Sequence, residues 1–375
     1  MKTLNNKLFK VIELLRFPLA LAVVYLHCGG TVDTAPYRDG LNTNFSDLLC
    51  ITVSHVITHV AVPSFFLISG YLYFKEGKIN YSLYHAKIQK RFYTLFLPYI
   101  LWNFIPFLFV LFKRIGGGIL NGTWENVILY LNSTEYVHLF WDIEPLNLTS
   151  QNLLGISTPL SGPINFPLWY LRDLILLTVF SPLIYLLLKY GRKYTIFILL
   201  ICYISGIWIT NKILPITGVF FFSLGAYFSL FKIDFLNSRI MKSVIFKTLA
   251  VMFLIIAVYY DGMNTYLGTI AYKLFICTGV FMTFYIGNKM VNKGIQVNKF
   301  LTESSFFIYV SHFIFVFLIN IHLLIIDKFL VKSTGFLLTV DYLLYPILIT
   351  ILCVTTKYFL QRFIPSIYSL LTGTR

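Results

Sequence analysis

Apolar residues in this chain run in long blocks rather than in alternation. Residues 48–74, 92–112, 213–231 and 304–326 contain no Asp, Glu, Lys or Arg. Each block reaches the roughly 18–20 residues that take a helix across a bilayer. Blocks broken only by isolated charges raise the expected number of spans to about ten. They lie near 9–29, 48–74, 92–112, 166–188, 194–211, 213–231, 244–260, 265–288, 303–325 and 337–359. The short alternating segments of a membrane barrel are missing. The predicted fold class is therefore all-α, a polytopic membrane helix bundle. It forms one domain over residues 1–375, with its longest non-membrane stretch at 113–165. The hairpin around Asn211, Lys212 and Pro215 is the least regular boundary.

Composition agrees with this pattern. The chain is 58% hydrophobic and only 12% charged, too few polar groups to cover a soluble protein of this size. Charge then sets the orientation. With both termini in the cytoplasm, the inner segments hold twenty-one basic residues against three acids, Glu76, Asp234 and Glu303. The outer segments hold six basic residues against ten acids. This alternation is the positive-inside rule, and it accounts for most of the net charge of +15. Basic residues spread over many loops argue against a nucleic-acid partner. No small-x-small site follows Cys28, so no cleaved leader is expected. The five cysteines, Cys28, Cys50, Cys202, Cys277 and Cys353, are scattered too widely for a disulfide framework or a zinc site.

Against this apolar background the ionisable residues stand out, because each costs free energy in a membrane. Arg16 and His27 share the first span. Their separation of eleven residues is three helical turns plus about 20°, so both face one way, roughly 16 Å apart along the axis. That arrangement suits a reaction whose two substrates arrive from opposite sides. The second span reads HVITHVAVPSFFLISGY, from His55 to Tyr71. His55 and His59 are i,i+4 neighbours, but no acid or cysteine accompanies them, so polar packing is expected and no metal. Pro63 is expected to kink this helix. Ser69 and Gly70 offer a small, close-approach surface that helix packing explains equally well. Lys87, Lys90 and Arg91 stand at the cytoplasmic mouth of the third span. They suit phosphates, and the positive-inside rule alone also explains them.

The fourth span opens PLWYLRDLILL and places Arg172 and Asp173 about one turn inside the outer surface. They are either a local ion pair or part of an acceptor site. In the ninth span Ser305, Tyr309 and His312 form a single stripe suited to face the bundle interior, and ordinary interhelical hydrogen bonding explains it equally well. Lys273, alone in the eighth span, is expected to snorkel outward. The stretch 113–165 begins with Gly116, Gly117 and Gly118, read as helix breakers. It gathers Trp124, Glu125, Tyr130, Glu135, His138, Trp141, Asp142 and Glu144. A sugar-binding lid and an interfacial aromatic belt both fit that composition. Its three glycosylation-like triplets, at Asn121, Asn132 and Asn147, are weak matches.

Taken in order, these motifs resemble the acyltransferase-3 family of integral membrane acyltransferases. Glu13, Arg16 and His27 match its first span, and VPSFFLISGYL from Val62 to Leu72 its second. Lys90 to Trp102, Leu168 to Leu174 and Ser305 to His312 match its third, fourth and ninth. The chain ends too early for the extracytoplasmic hydrolase-like domain that some members carry. Only Lys90 and Arg91 stand where many members carry a further arginine-rich pair. The resemblance implies transfer from cytosolic acyl-CoA, most often acetyl-CoA, to the hydroxyl of an extracytoplasmic or lipid-linked glycan. It implies a multi-pass protein of the bacterial plasma membrane. By the same resemblance Glu13, Arg16, Ser69, Lys90 and Arg91 hold the donor, and His27 is the general base. Arg172 and Asp173 complete the catalytic group, while Trp169, Tyr309 and His312 bind the acceptor. The rival reading is a transporter that exports a polysaccharide or its precursor, since charges in a bundle also mark translocation paths. The inverted repeats of many transporters are not visible.

Overall fold

A computed structural model describes residues 2–28, 45–125, 128, 136–143, 149–152, 157–209, 212–261, 265–296, 298–330 and 335–373. Its long helices in chain order are α1 (Lys2–Cys28), α2 (Ala61–Tyr73), α3 (Tyr81–Arg91), α4 (Leu97–Asn121), α5 (Trp169–Val179) and α6 (Ser181–Ser205). They continue as α7 (Ile216–Leu230), α8 (Val244–Tyr259), α9 (Tyr266–Asn292), α10 (Lys299–Leu330), α11 (Gly335–Phe363) and α12 (Pro365–Thr372). Among the described residues the only strands are Thr149–Gln151 and Ser157–Pro159, an antiparallel pair with Ser150 opposite Thr158. The all-α bundle predicted from the hydrophobic blocks is the fold observed.

Six described helices are long and apolar enough to cross a membrane, and eight if each of two bent pairs counts as one span. The pairs are Phe166–Val179 with Ser181–Ser205, bent by 65°, and Ile216–Leu230 with Phe235–Lys242, bent by 92°. This is fewer than the ten blocks read from the sequence, for two reasons of length. α8 has only 16 residues, about 24 Å at 1.5 Å per residue. In α6 the backbone at Arg192 (φ 46, ψ −125) is not helical and divides the helix into two shorter arms.

Two further expectations change. Gly116–Gly118 do not break α4, which runs on to Asn121 and ends at Gly122 in the left-handed region (φ 69). The first residues of the stretch from 113 are therefore helix. Pro63 does not kink α2 at its own position. The irregularity lies one step earlier, as a π turn over Ile51–Val56 and a 3₁₀ turn over Ile57–Val60. Proline has no N–H to bond the carbonyl four residues back, so the preceding turns rearrange. Tyr130, Glu135 and Glu144, with Asn132 and Asn147, lie outside the described residues.

α1 runs through the bundle beside α10 and α9, and the most extensive helix pair is α2 with α7. Glycine makes that pair possible. A Cβ at Gly70 would lie 2.0 Å from the Phe222 carbonyl oxygen, and one at Gly225 2.0 Å from that of Leu67. Backbones this close gain dispersion contacts that larger residues would prevent. The main core is aromatic, with Phe66, Phe74, Phe221, Phe222 and Phe284 fully buried.

Candidate active site

Two cavities, named outer and inner for the orientation expected from the charges, share Tyr309 as part of their walls inside the bundle. The outer cavity, about 390 Å³, is lined by His27 of α1, His59 and Pro63, Trp169, Arg172 and Asp173 of α5, Tyr272 and Lys273 of α9, and Tyr309 of α10. The inner cavity, about 470 Å³, is lined by Arg16 of α1, Ser69 of α2, Arg91, Tyr170, Glu303, Ser305 and again Tyr309. Arg16 and His27 thus open into different cavities from one helix, as their spacing predicts. Tyr309 forms part of both walls, and its Oη donates to the Pro167 carbonyl at 2.6 Å. Its ring meets Tyr170 edge-on, with centroids 5.6 Å apart.

The outer cavity owes its shape to Arg172, which is 1% exposed. Its Nε donates to Asp173 Oδ1 at 2.9 Å. Its Nη1 donates to the Trp141 carbonyl at 2.6 Å, and its Nη2 to those of Lys212 at 2.7 Å and Ser161 at 3.4 Å. One guanidinium thereby ties together three loop segments. Asp173, 0% exposed, also accepts from Leu214 N at 3.4 Å, while its Oδ2 has no protein partner. Four of the five N–H groups of Arg172 are thus taken in holding the wall. Asn165 pins the same loop from the other side. Its N–H donates to Asn103 Oδ1 at 3.0 Å and its side chain to the carbonyls of Val310 at 3.1 Å and Trp102 at 3.3 Å. Neither Asn103 nor Asn165 carries a sequence signal, because the bonds that join them to the loop and to α10 link residues distant in the chain.

His27 is half-buried, with its ring 5.2 Å from that of His312 and 5.7 Å from that of Phe313. His312 lines neither cavity. It lies behind His27. Its Nδ1–H donates to the carbonyls of Tyr309 at 2.8 Å and Ile308 at 3.1 Å. That leaves its buried Nε2 as a lone pair without a protein partner. Trp169 and Tyr309 line the outer cavity.

On the inner side Arg16, Ser69 and Arg91 come together, and Ser69 Oγ lies 3.2 Å from Tyr170 Oη. Glu13 and Lys90 do not join them. Glu13 is exposed, makes no ion pair with Arg16, and offers only its carbonyl to Thr302 Oγ1 at 3.3 Å. Lys90 is exposed as well, because adjacent helical residues point about 100° apart. Lys87 is committed elsewhere, to Glu76 at 2.7 Å and to the Tyr73 carbonyl. His55 and His59 take different partners. His55 Nδ1 bonds Asp261 Oδ2 at 2.8 Å, and His59 meets the Tyr272 ring edge-on at 5.6 Å. Among the described residues no three His, Cys, Asp or Glu side chains group to hold a metal, and the five cysteines form no disulfide with one another. Lys273, Tyr272 and Tyr203 escaped the sequence reading as cavity residues, since only packing decides which face of an all-apolar helix is inward.

Comparison with known sequences gives the arrangement a context. The profile of the acyltransferase-3 family, described as an acyltransferase domain, matches residues 9–360. The chain belongs to this family. The acyltransferase is 24% identical over 375 residues to the succinoglycan biosynthesis protein ExoH of Rhizobium meliloti (strain 1021), covering 97% of this chain and 92% of that one. No solved structure matches it. Family and helices together make this a multi-pass membrane acyltransferase.

Proposed function

We propose that this acyltransferase moves an acyl group, acetyl being the smallest, from cytosolic acyl-CoA to a hydroxyl of an extracytoplasmic or lipid-linked glycan in a bacterial plasma membrane. The observation that carries this reading is the pair of cavities abutting at Tyr309, with two arginines in one and His27 in the other. The relative's name, a succinoglycan biosynthesis protein, supports a polysaccharide acceptor.

Each residue has a physical task in this scheme. Arg16 and Arg91 supply cations for the donor's phosphates, where a guanidinium fork binds in two-point fashion. The roughly 16 Å from Arg16 to His27 along α1 is comparable in length to an extended pantetheine arm, which would carry the thioester past Tyr309. His27 takes the proton from the acceptor hydroxyl as its oxygen bonds the acyl carbon. The carbon–sulfur bond breaks, and the proton passes from His27 to the departing sulfur. His312 holds the His27 ring by contact. Arg172 and Asp173 keep the wall in place, and Trp169 offers a face for a sugar ring.

The test compares cells carrying the wild-type protein, His27→Ala and Arg16→Ala, with the surface glycan analysed by mass spectrometry. Loss of O-acyl esters from a glycan still present, with normal expression, is the expected result. Esters retained in full in both variants would sink the proposal. A glycan missing from the surface would favour polysaccharide export.

A further inference from the structure

We propose that Lys273 is a specificity residue that selects an acceptor bearing an oxyanion, a carboxylate or a phosphate, close to the hydroxyl that is modified. This inference rests on the acyl-transfer reading above. The sequence suggested that Lys273 snorkels outward, yet the structure keeps its side chain half-buried in the wall of the outer cavity.

The charges in that wall do not balance. It contains two cations, Arg172 and Lys273, and one carboxylate, Asp173. Asp173 is bonded to Arg172 at 2.9 Å, which leaves the ammonium of Lys273 in surplus. Among the described residues no carboxylate pairs with it, and its one hydrogen bond runs to the Ile204 carbonyl at 3.2 Å. An ammonium carries three N–H donors, so two remain for a ligand. An unpaired charge in a largely apolar cavity is costly unless something answers it, and a substrate anion would do so.

The surrounding backbone is shaped around this ammonium. Ile204 lies in the last turn of α6, whose exposed carbonyls attract a cation. Gly206 follows in the left-handed region at φ 70, and a Cβ there would lie 2.8 Å from Lys273 Nζ. Glycine thus serves the turn and leaves room for the amine at once. The position assigns the anion to the acceptor rather than to the acyl donor. Gly206 and the neighbouring Pro215 and Ser161 belong to the loops that close the outer cavity, and Lys273 does not reach the inner one.

A matched pair of acceptors tests the idea on the full-length protein in detergent, with acetyl-CoA as donor. One is a β-linked glucose oligosaccharide ending in glucuronic acid, and the other is its carboxyl-reduced counterpart. The wild type should show a KM about tenfold lower for the acidic acceptor. K273M should bring the two KM values together, and K273R should keep them apart. A structural role as a helix cap would change stability without touching that ratio. Equal KM values on the wild type would overturn the proposal without needing any variant. So would a K273M protein that still prefers the acidic acceptor. Absence of transfer to every acceptor would instead count against the acyl-transfer reading. In that case thermophoresis with the two oligosaccharides decides the charge preference alone, equal affinities overturning it.

Discussion

Removing the Arg172 guanidinium tests how the outer cavity is built. In an Arg172→Met variant Asp173 stays buried at 0% exposure with only the Leu214 N–H, 3.4 Å away, to answer it. The carbonyls of Trp141, Lys212 and Ser161 lose their shared donor. Breaking a buried ion pair from one side costs about 3–5 kcal/mol. The carbonyls of Trp141 and Ser161 would each add about 1 kcal/mol, less where water reaches the loops, whereas that of Lys212 keeps the Ser161 hydroxyl at 2.6 Å. The two costs add to a total of about 4–7 kcal/mol. Arg172→Lys should lose about half as much, since one ammonium can reach only one or two of the four acceptors. The double variant Arg172→Met/Asp173→Leu should be more stable than Arg172→Met, because no unpaired charge is left in the interior. Melting in detergent measures the totals, and hydrogen exchange over 160–168 and 212–218 locates the change. If Arg172→Met melts within a degree of wild type with exchange unaltered there, the clasp does not exist. If the double variant is no better than the single one, the cost does not come from Asp173.

Other expectations rest on separate parts of the structure. Arg91→Ala should raise the KM for acyl-CoA about tenfold, the worth of one charge-assisted contact, with kcat little changed; an unaltered KM would remove Arg91 from the donor site. Gly70→Ala should cost at least 1–3 kcal/mol in detergent melting, because the added carbon would sit 2.0 Å from the Phe222 carbonyl oxygen, backbone that cannot swing aside. Glu76, between the spans, is partly buried, which pushes its carboxyl up, but the Lys87 hydrogen bond, a backbone hydrogen bond and the charges of Lys87 and Lys75 together outweigh this and the net shift is downward. Its contribution to stability is therefore present above the ordinary carboxylate pKa and disappears as the pH falls through the lowered folded value. Melting of wild type and Glu76→Gln should converge in that acid window, and curves that stay parallel would exclude the linkage.

The apolar blocks made the all-α membrane bundle legible, because a bilayer tolerates little else than a long helix with its backbone bonds closed. The positions of Arg16 and His27 on one face of α1 followed from helical periodicity alone, and so did the inward stripe of Ser305, Tyr309 and His312. Motif order added the family, which the profile over residues 9–360 bears out. What the sequence withheld was everything that depends on contacts between distant segments. Glu13 and Lys90 sit in matching motifs yet stand outside the inner cavity, and Arg172 spends its donors on carbonyls 11 to 40 residues away. His59 and Lys273 face the outer cavity because neighbouring helices leave a gap there. In a helix that is apolar all round, periodicity carries no marker of the inward face. Local rules therefore set which residues lie on one helix, whereas packing between helices set which of them share a cavity.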